Sequence, residues 1–213
     1  MTDAGTLLKQ AEKAHGEGQW DTAVDSYQKF LDMSPDSAMA CRKLADVLAI
    51  RGRLHATLVT LQHLVAVLDS LNDLDGVVEV IDRLLLLKPD SDDIWNQKID
   101  LYFRQGNTEA AVALSREVGQ RALSRGDEEL AVKILRRACE ADPANLEMTL
   151  QLAEAVLNYG QIQEAQRLYR KVGSNYLENN DLEKAAETFR RLTVFAPPDT
   201  GLFMILGDLN ANL

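Results

Sequence analysis

Apolar residues recur at spacings of three and four along most of the chain, with polar residues between them. This spacing is typical of amphipathic helices that bury one face, and no stretch shows the strict alternation of a strand. Between residues 92 and 145 the pattern is interrupted at Gly106, Gly126 and Pro143. Gly tolerates the positive φ found just past a helix end, and Pro cannot continue a helix. Applied to the whole chain, the pattern predicts twelve helices and an all-α protein.

The helix stops recur with a fixed period. Four of the five prolines lie at positions 35, 89, 143 and 197, and the differences 89 − 35, 143 − 89 and 197 − 143 are all 54. Three further series keep this step: Gly52, Gly106 and Gly160; Gly18, Asn72, Gly126 and Asn180; and Asp73, Asp127 and Asp181. Asp in the last series follows a stop directly, so we expect it to cap the next helix. A fixed period of this kind indicates a repeat architecture.

The period divides the chain into three full repeats of three helices each, 38–91, 92–145 and 146–199. Two partial repeats, 1–37 and 200–213, complete it. A single repeat cannot bury its own apolar stripe, so neighbouring repeats have to stack. We expect one helical solenoid over residues 1–213. The partial repeats at both ends suggest that the array continues in a longer protein.

These residues resemble the tetratricopeptide repeat, a helix–turn–helix unit of about 34 residues. In the frame that starts at residue 4, its pattern is matched by Ala11, Ala23, Tyr27 and Pro35. Later frames are matched by Trp95, Tyr102, Gly119, Ala131, Leu135, Pro143, Ala153, Ala165, Tyr169, Gly173, Tyr176, Ala185, Phe189, Pro197, Phe203, Leu206 and Gly207. The middle helix of each repeat belongs to two overlapping frames. The resemblance implies about twelve antiparallel helices in a right-handed superhelix.

Composition narrows the classes of function. The chain has 33 acidic and 23 basic residues and a net charge of −10, which argues against nucleic acid as a partner. No apolar run reaches the roughly 20 residues that span a bilayer, and the N-terminus lacks the pattern of a signal peptide. We therefore expect neither nucleic-acid binding nor membrane insertion. With only two cysteines, a cytoplasmic location in a reducing environment fits best.

The residues that usually carry chemistry form no recognisable motif. His15, His55 and His63 are not grouped with Cys41 or Cys139 in any metal-binding spacing. A phosphate-binding loop after a strand is also missing, since no strand is predicted. His63 reads as a residue on a helix surface. We expect no enzyme activity, no metal and no cofactor.

A series of acidic residues is the first candidate binding feature. Asp46, Asp100, Glu154 and Asp208 step by 54 residues, each in the first helix of its repeat. By the resemblance this helix lines a concave groove, where carboxylates would attract a basic peptide or helix. Alternatively, the acids only solvate the helix or pair with neighbours. With the nearby polar positions, the candidate partner-binding residues are Asp46, Asn96, Asp100, Gln151, Glu154 and Asp208.

The leucine run "RLLLL", residues 83–87, is the second candidate. Leu84, Leu85 and Leu87 occupy positions where the repeat packs apolar side chains. Leu86 occupies a position held by Asp32, Glu140 and Val194 in the other repeats, so we expect it to face outward. An exposed apolar patch usually marks an interface. The alternative is a tighter core with a locally changed superhelix.

The last predicted helix is the third candidate. It begins a further repeat and stops, which leaves Phe203, Met204 and Leu209 without the helix that would cover them. Terminal repeats normally need a polar outer face. We therefore list Leu86, Phe203, Met204 and Leu209 as candidate apolar interface residues, and self-association through the last helix as an option.

The sequence as a whole predicts a scaffold or adaptor that binds a peptide or helical segment of a partner protein, as the resemblance implies. A second reading makes the chain the recognition or regulatory region of a larger protein whose effector part lies elsewhere. Either way, the partner's identity is not encoded in any motif.

Overall fold

The computed structural model describes residues 3–196 and 200–212. Over these residues the chain is all-α and forms twelve helices. Their bounds are α1 Ala4–Gly16, α2 Trp20–Met33, α3 Ala38–Ile50, α4 Leu54–Ser70, α5 Leu74–Leu87, α6 Asp92–Arg104, α7 Thr108–Arg125, α8 Glu128–Ala141, α9 Leu146–Asn158, α10 Ile162–Glu178, α11 Leu182–Phe195 and α12 Thr200–Asn212. The predicted number of helices and the all-α class are confirmed.

Helix ends lie where the repeated stops predict them. Gly126 and Asn72 adopt positive φ just past the ends of α7 and α4, the conformation that lets the chain turn back without a clash. The other Gly and Asn stops of both series also have positive φ. Pro35, Pro89 and Pro143 each follow a helix end by two residues. Pro197 lies outside the described residues.

The predicted aspartate caps are present. The side chain of Asp73 accepts a hydrogen bond from the Gly76 amide at 3.0 Å and so satisfies a free donor at the start of α5. Asp127 and Asp181 do the same for α8 and α11. The stop and the cap are therefore adjacent residues of one turn. Together they determine where the third helix of each repeat begins.

The chain divides into two compact lobes, which we call the N-terminal lobe (Met1–Leu101) and the C-terminal lobe (Tyr102–Leu213). Two apolar clusters form the core of the N-terminal lobe, one around α1–α3 and one around α3–α5 with Ile94 and Leu101 of α6. One larger cluster joins α7–α12 in the C-terminal lobe. The boundary between the two lobes falls within α6, so it does not coincide with a boundary of the 54-residue repeats.

Packing within each lobe is mainly between helices that follow one another. Each of α1–α5, and each of α7–α12, packs mainly on its neighbours in sequence. Ion pairs then link second neighbours: α3 with α5 in the N-terminal lobe, and α7 with α9, α9 with α11 and α8 with α10 in the C-terminal lobe. The linked helices, α3 with α5, α8 with α10, and α7 with α9 and α11, therefore lie side by side.

Close packing explains two of the repeated glycines. A Cβ on Gly173 would lie 2.6 Å from the Phe189 ring, and one on Gly119 would lie 2.7 Å from the Leu135 side chain. Both glycines lie where the middle helix of a repeat meets the third helix, and the bulky partner fills the space. A small residue therefore packs against a large one at these two positions.

Candidate interaction surface

Two parallel helices of the N-terminal lobe, α3 and α5, are joined by a ladder of ion pairs. Arg42 donates to Glu79 at 2.6 Å, and one turn further Arg83 donates to Asp46 at 2.8 Å. Both pairs join residues 37 positions apart. The same offset relates Ile50 to Leu87, which are the last residues of α3 and α5.

Large apolar side chains are exposed at this end of the ladder. Leu86 is 83% exposed and Ile50 is 58% exposed. The predicted outward orientation of Leu86 is therefore observed, whereas Leu84 and Leu85 are buried. The prediction that Leu87 packs in the core is wrong: it is 37% exposed and is the last residue of α5.

The C-terminal lobe repeats the arrangement between α9 and α11. Arg191 donates to Glu154, again across 37 residues, and also to Glu187 at 3.2 Å on its own helix. Burial lowers the pKa of Arg191, but the carboxylates of Glu154 and Glu187 outweigh this, and the net pKa is raised. The Arg191 guanidinium therefore keeps its positive charge and pairs with both carboxylates.

A shallow cleft lies beside this pair, with a volume of about 320 Å³. Its lining combines the ion pair with apolar and aromatic groups: Glu154, Leu157, Asn158, Tyr169, Arg191, Val194 and Phe195. The Tyr169 and Phe195 rings pack 5.4 Å apart at its base, and burial raises the pKa of the Tyr169 hydroxyl. Val194, at the rim, is 86% exposed. The cleft therefore combines apolar and aromatic side chains with the polar groups of Glu154, Asn158 and Arg191.

Leu86 and Val194 occupy the same position of two repeats, because 194 − 86 is twice 54. Asp32 and Glu140 hold this position in the other two repeats. We call Ile50, Leu86 and Leu87 the N-terminal patch, and Leu157, Val194 and Phe195 the C-terminal patch. Each patch borders one of the Arg–carboxylate pairs, so the two lobes carry the same local combination of groups.

The acidic residues that the sequence singled out lie on four different helices. Asp46 is on α3, Asp100 on α6, Glu154 on α9 and Asp208 on α12. A groove lined by a single row of these acids stays a prediction.

Two of these acids form ion pairs with arginines. Asp46 pairs with Arg83 and Glu154 with Arg191, as described above. Sequence reasoning missed these partners, although a signal was present: Lys29, Arg83, Arg137 and Arg191 step by 54 residues as well. Because 83 − 46 and 191 − 154 are both 37, the basic series accompanies the acidic one.

The other candidate residues have varied surroundings. Asn96 is half-buried on α6, and Asp100 and Asp208 are exposed. Gln151 is half-buried on α9, and its buried side-chain oxygen accepts no hydrogen bond from any residue the structure describes. His63 is exposed on α4 and lies 2.9 Å from the Pro35 carbonyl oxygen, so it belongs to a helix surface as predicted.

On α12, Phe203 and Met204 are exposed, but Leu209 is not. Leu209 is 4% exposed and packs with Leu202 and Leu206 in the core of the C-terminal lobe. The prediction that Leu209 is an uncovered interface residue is therefore wrong, because this side of α12 rests on α11. Phe203, 55% exposed, is on the side that remains open.

No group of three or more His, Cys, Asp or Glu side chains that could hold a metal ion occurs among the described residues. In the same part of the chain, no helix is long and apolar enough to cross a membrane. Cys41 is buried and Cys139 half-buried, and both are free thiols.

Comparison with known families identifies the fold. Two models of the tetratricopeptide-repeat family match the chain, one over residues 8–56 and the other over residues 122–175. The chain belongs to the tetratricopeptide-repeat superfamily. One matched stretch lies in each lobe, so both lobes of this tetratricopeptide-repeat protein carry the family's sequence pattern.

Several solved structures are similar to the chain at low sequence identity. A tetratricopeptide repeat protein from Parabacteroides merdae is 14% identical, covers 98% of this chain and 99% of its own, and has a TM-score of 0.28. MamA is 14% identical, with 84% and 94% coverage and a TM-score of 0.29. The TPR2AB domain of yeast Sti1, solved as a complex with pHSP90, is 14% identical, with 97% and 98% coverage and a TM-score of 0.30. No curated protein matches the chain.

Proposed function

We propose that this protein is a non-catalytic scaffold that binds a peptide or helical segment of a partner protein. The tetratricopeptide repeat is generally a protein-interaction module, which supports the broad class. The observation that carries the finer proposal is the recurrence of an exposed apolar side chain, Leu86 or Val194, beside a fixed Arg–carboxylate pair in both lobes.

The chemistry of the two patches suits an amphipathic segment. Contiguous exposed apolar groups on a folded protein usually mark an interaction site. Apolar side chains of the partner would cover Leu86 and Ile50, or enter the cleft beside Val194. Polar groups at the edge of the segment would exchange hydrogen bonds with the Arg83–Asp46 or Arg191–Glu154 pair, which sets orientation more than affinity.

The remaining candidate residues form a second, polar part of the proposal. Asn96, Asp100, Gln151 and Asp208 would contact a partner at positions away from the two patches. Asp46 and Glu154 already have arginine partners, so a basic peptide would have to compete for them. We therefore assign the main share of binding to the apolar patches. We further propose that the protein works in the reducing cytoplasm, where Cys41 and Cys139 remain thiols.

A photo-crosslinking experiment tests the proposal and identifies the partner. A photoreactive phenylalanine analogue is placed at position 86 or 194, and matched controls carry it at positions 32 or 140, which are structurally equivalent but charged in the natural chain. After irradiation in cells, we expect one protein to be linked at 86 or 194 and not at 32 or 140. Equal labelling at all four positions, or none, would contradict the assigned surface.

A further inference from the structure

The two lobes carry the same ladder of charged residues, but one arginine is missing from the C-terminal lobe. Three members of the ladder are charged in both lobes, at positions related by twice the 54-residue period: Asp46 and Glu154, Glu79 and Glu187, and Arg83 and Arg191. The fourth member, Arg42, is replaced by Leu150. The C-terminal ladder therefore has two carboxylates and a single arginine.

The missing arginine changes how the carboxylates are paired. In the N-terminal lobe, each carboxylate of the ladder has an arginine of its own on the opposite helix. In the C-terminal lobe, Arg191 pairs with Glu154 across the helices and with Glu187 on its own helix. Two carboxylates share one cation there, so these three groups carry one net negative charge.

Glu187 is the carboxylate that has lost its partner on the opposite helix. Its side chain is 65% exposed, and its bond to Arg191 is 3.2 Å long. Leu150, the residue that corresponds to Arg42, is half-buried and brings no charge. Lys184, one turn earlier on α11, pairs with Asp181. An exposed carboxylate with a shared cation attracts a further positive group.

This carboxylate lies close to the C-terminal patch. Glu187 and Val194 are both exposed on α11 and are seven residues apart, which brings them to the same side of the helix. At about 1.5 Å per residue, they are separated by about 10 Å along the helix axis. The cleft beside Val194 has a volume of about 320 Å³ and can take an apolar side chain. One surface therefore offers an apolar cleft and a carboxylate two turns apart.

The charge of the whole chain indicates what kind of molecule fits this surface. With a net charge of −10, the chain repels a second copy of itself and attracts basic segments. A partner segment with a positive side chain near an apolar one complements both features of the surface. A separate, basic polypeptide is therefore the occupant that the charges favour.

We propose that the C-terminal patch binds a partner segment that places an apolar side chain in the cleft beside Val194 and a Lys or Arg side chain on Glu187. The partner's cation takes the place that the Arg42 guanidinium has in the N-terminal lobe. The proposal rests on the proposed function, since it names the chemistry of the segment at one of the two patches. The N-terminal patch, beside a ladder with an arginine for each carboxylate, has no such requirement.

Selection of random peptides displayed on phage tests this preference without a known partner. The intact 213-residue protein is the bait, and peptides whose binding Val194→Glu abolishes are assigned to the C-terminal patch. We expect these peptides to contain more Lys and Arg than the unselected library and than peptides whose binding depends on Leu86. Peptides without this excess, or no peptide that depends on Val194, overturn the proposal.

Variants of the protein then locate the cation, with a fluorescent selected peptide followed by anisotropy. Glu187→Lys should weaken binding at least tenfold, and Leu150→Arg should also weaken it, because it supplies the missing arginine. Asp25→Lys is the matched control and should change affinity less than twofold, since Asp25 is the exposed acid at the equivalent position of the first repeat. Thermal unfolding shows whether each variant is folded. Equal weakening by Glu187→Lys and Asp25→Lys would show an effect of net charge alone and overturn the assignment.

A charge exchange separates a direct contact from an indirect one. Replacing the basic residue of the peptide by Glu should weaken binding to the natural protein at least tenfold and restore it on Glu187→Lys protein. Failure to restore binding overturns the proposal. Binding that depends on Val194 and not on Glu187 leaves the scaffold function standing without this inference. Binding that depends on neither Leu86 nor Val194 contradicts the proposed function itself.

Discussion

At the scale of single residues, the fold depends on where the chain places its smallest side chains. Gly119 and Gly173 lie in the same position of two repeats and face Leu135 and Phe189 at distances that leave no room for a methyl group. Gly207 is also helical but faces open space. Close packing therefore requires glycine in α7 and α10, whereas a Cβ at Gly207 in α12 would meet no atom within 4 Å.

Replacing Gly173 should reveal this difference. In Gly173→Ala, the new Cβ meets the Phe189 ring at 2.6 Å, so we expect a loss of about 1–3 kcal/mol in the free energy of unfolding. Gly207→Ala is the control and should cost nothing, or gain up to about 1 kcal/mol from helix propensity. Chemical denaturation monitored by circular dichroism measures both. If Gly173→Ala is as stable as the natural chain, the close packing described here is incorrect.

Titration of Asp181 is a second property of a single residue. The Lys184 side chain and backbone amide hold the pKa of Asp181 below its ordinary value of 3.8. A carboxyl whose pKa is depressed on folding stabilises the fold above its unfolded pKa, and this contribution is lost as pH falls through the folded pKa. We therefore expect Asp181→Asn to lose stability less steeply than the natural chain below about pH 4. Parallel acid-unfolding curves for the two proteins would contradict this.

At the scale of helices, sequence and structure agree best where the information is local. A stop such as Asn72 followed by a cap such as Asp73 sets a helix boundary through its own φ angle and one hydrogen bond, so the boundary could be predicted. The Asp46–Arg83 pair could not, because it depends on the alignment of two parallel helices that are 37 residues apart in sequence. The burial of Leu209 likewise depends on which side of α12 rests on α11.

Removing a cap tests the local part of this account. Asp73→Ala deletes the bond to the Gly76 amide and should lower the free energy of unfolding by about 0.5–2 kcal/mol. Gln161 occupies the cap position of α10 without capping it through its side chain, so Gln161→Ala should have little effect. Denaturant titration compares them. Equal losses for both variants would show that the Asp73 cap contributes nothing specific.

At the scale of the whole molecule, the 54-residue period recurs in both lobes. Leu86 and Val194, two repeats apart, are both exposed, and each is on a helix that carries an arginine paired with a carboxylate. The equivalence of the two positions could be predicted from the period alone. The pairing of Asp46 and Glu154 with arginines could not, because it depends on contacts between helices.

Net charge gives a further expectation at this scale. With a charge of −10, the chain should repel polyanions, and mixing it with RNA or duplex DNA at low salt should leave the mobility of the nucleic acid unchanged. A salt-sensitive mobility shift would contradict the assignment of a protein partner.

The central claim is that the apolar patches bind a partner protein. Once crosslinking has identified that partner, calorimetric titration with Leu86→Glu and Val194→Glu proteins tests the claim most directly, with Glu140→Gln as the control at the equivalent position. Since both side chains are more than 80% exposed, the free energy of unfolding should change by less than about 0.5 kcal/mol. We predict that at least one substitution weakens binding tenfold or more. Unchanged affinity in both folded variants would contradict the account.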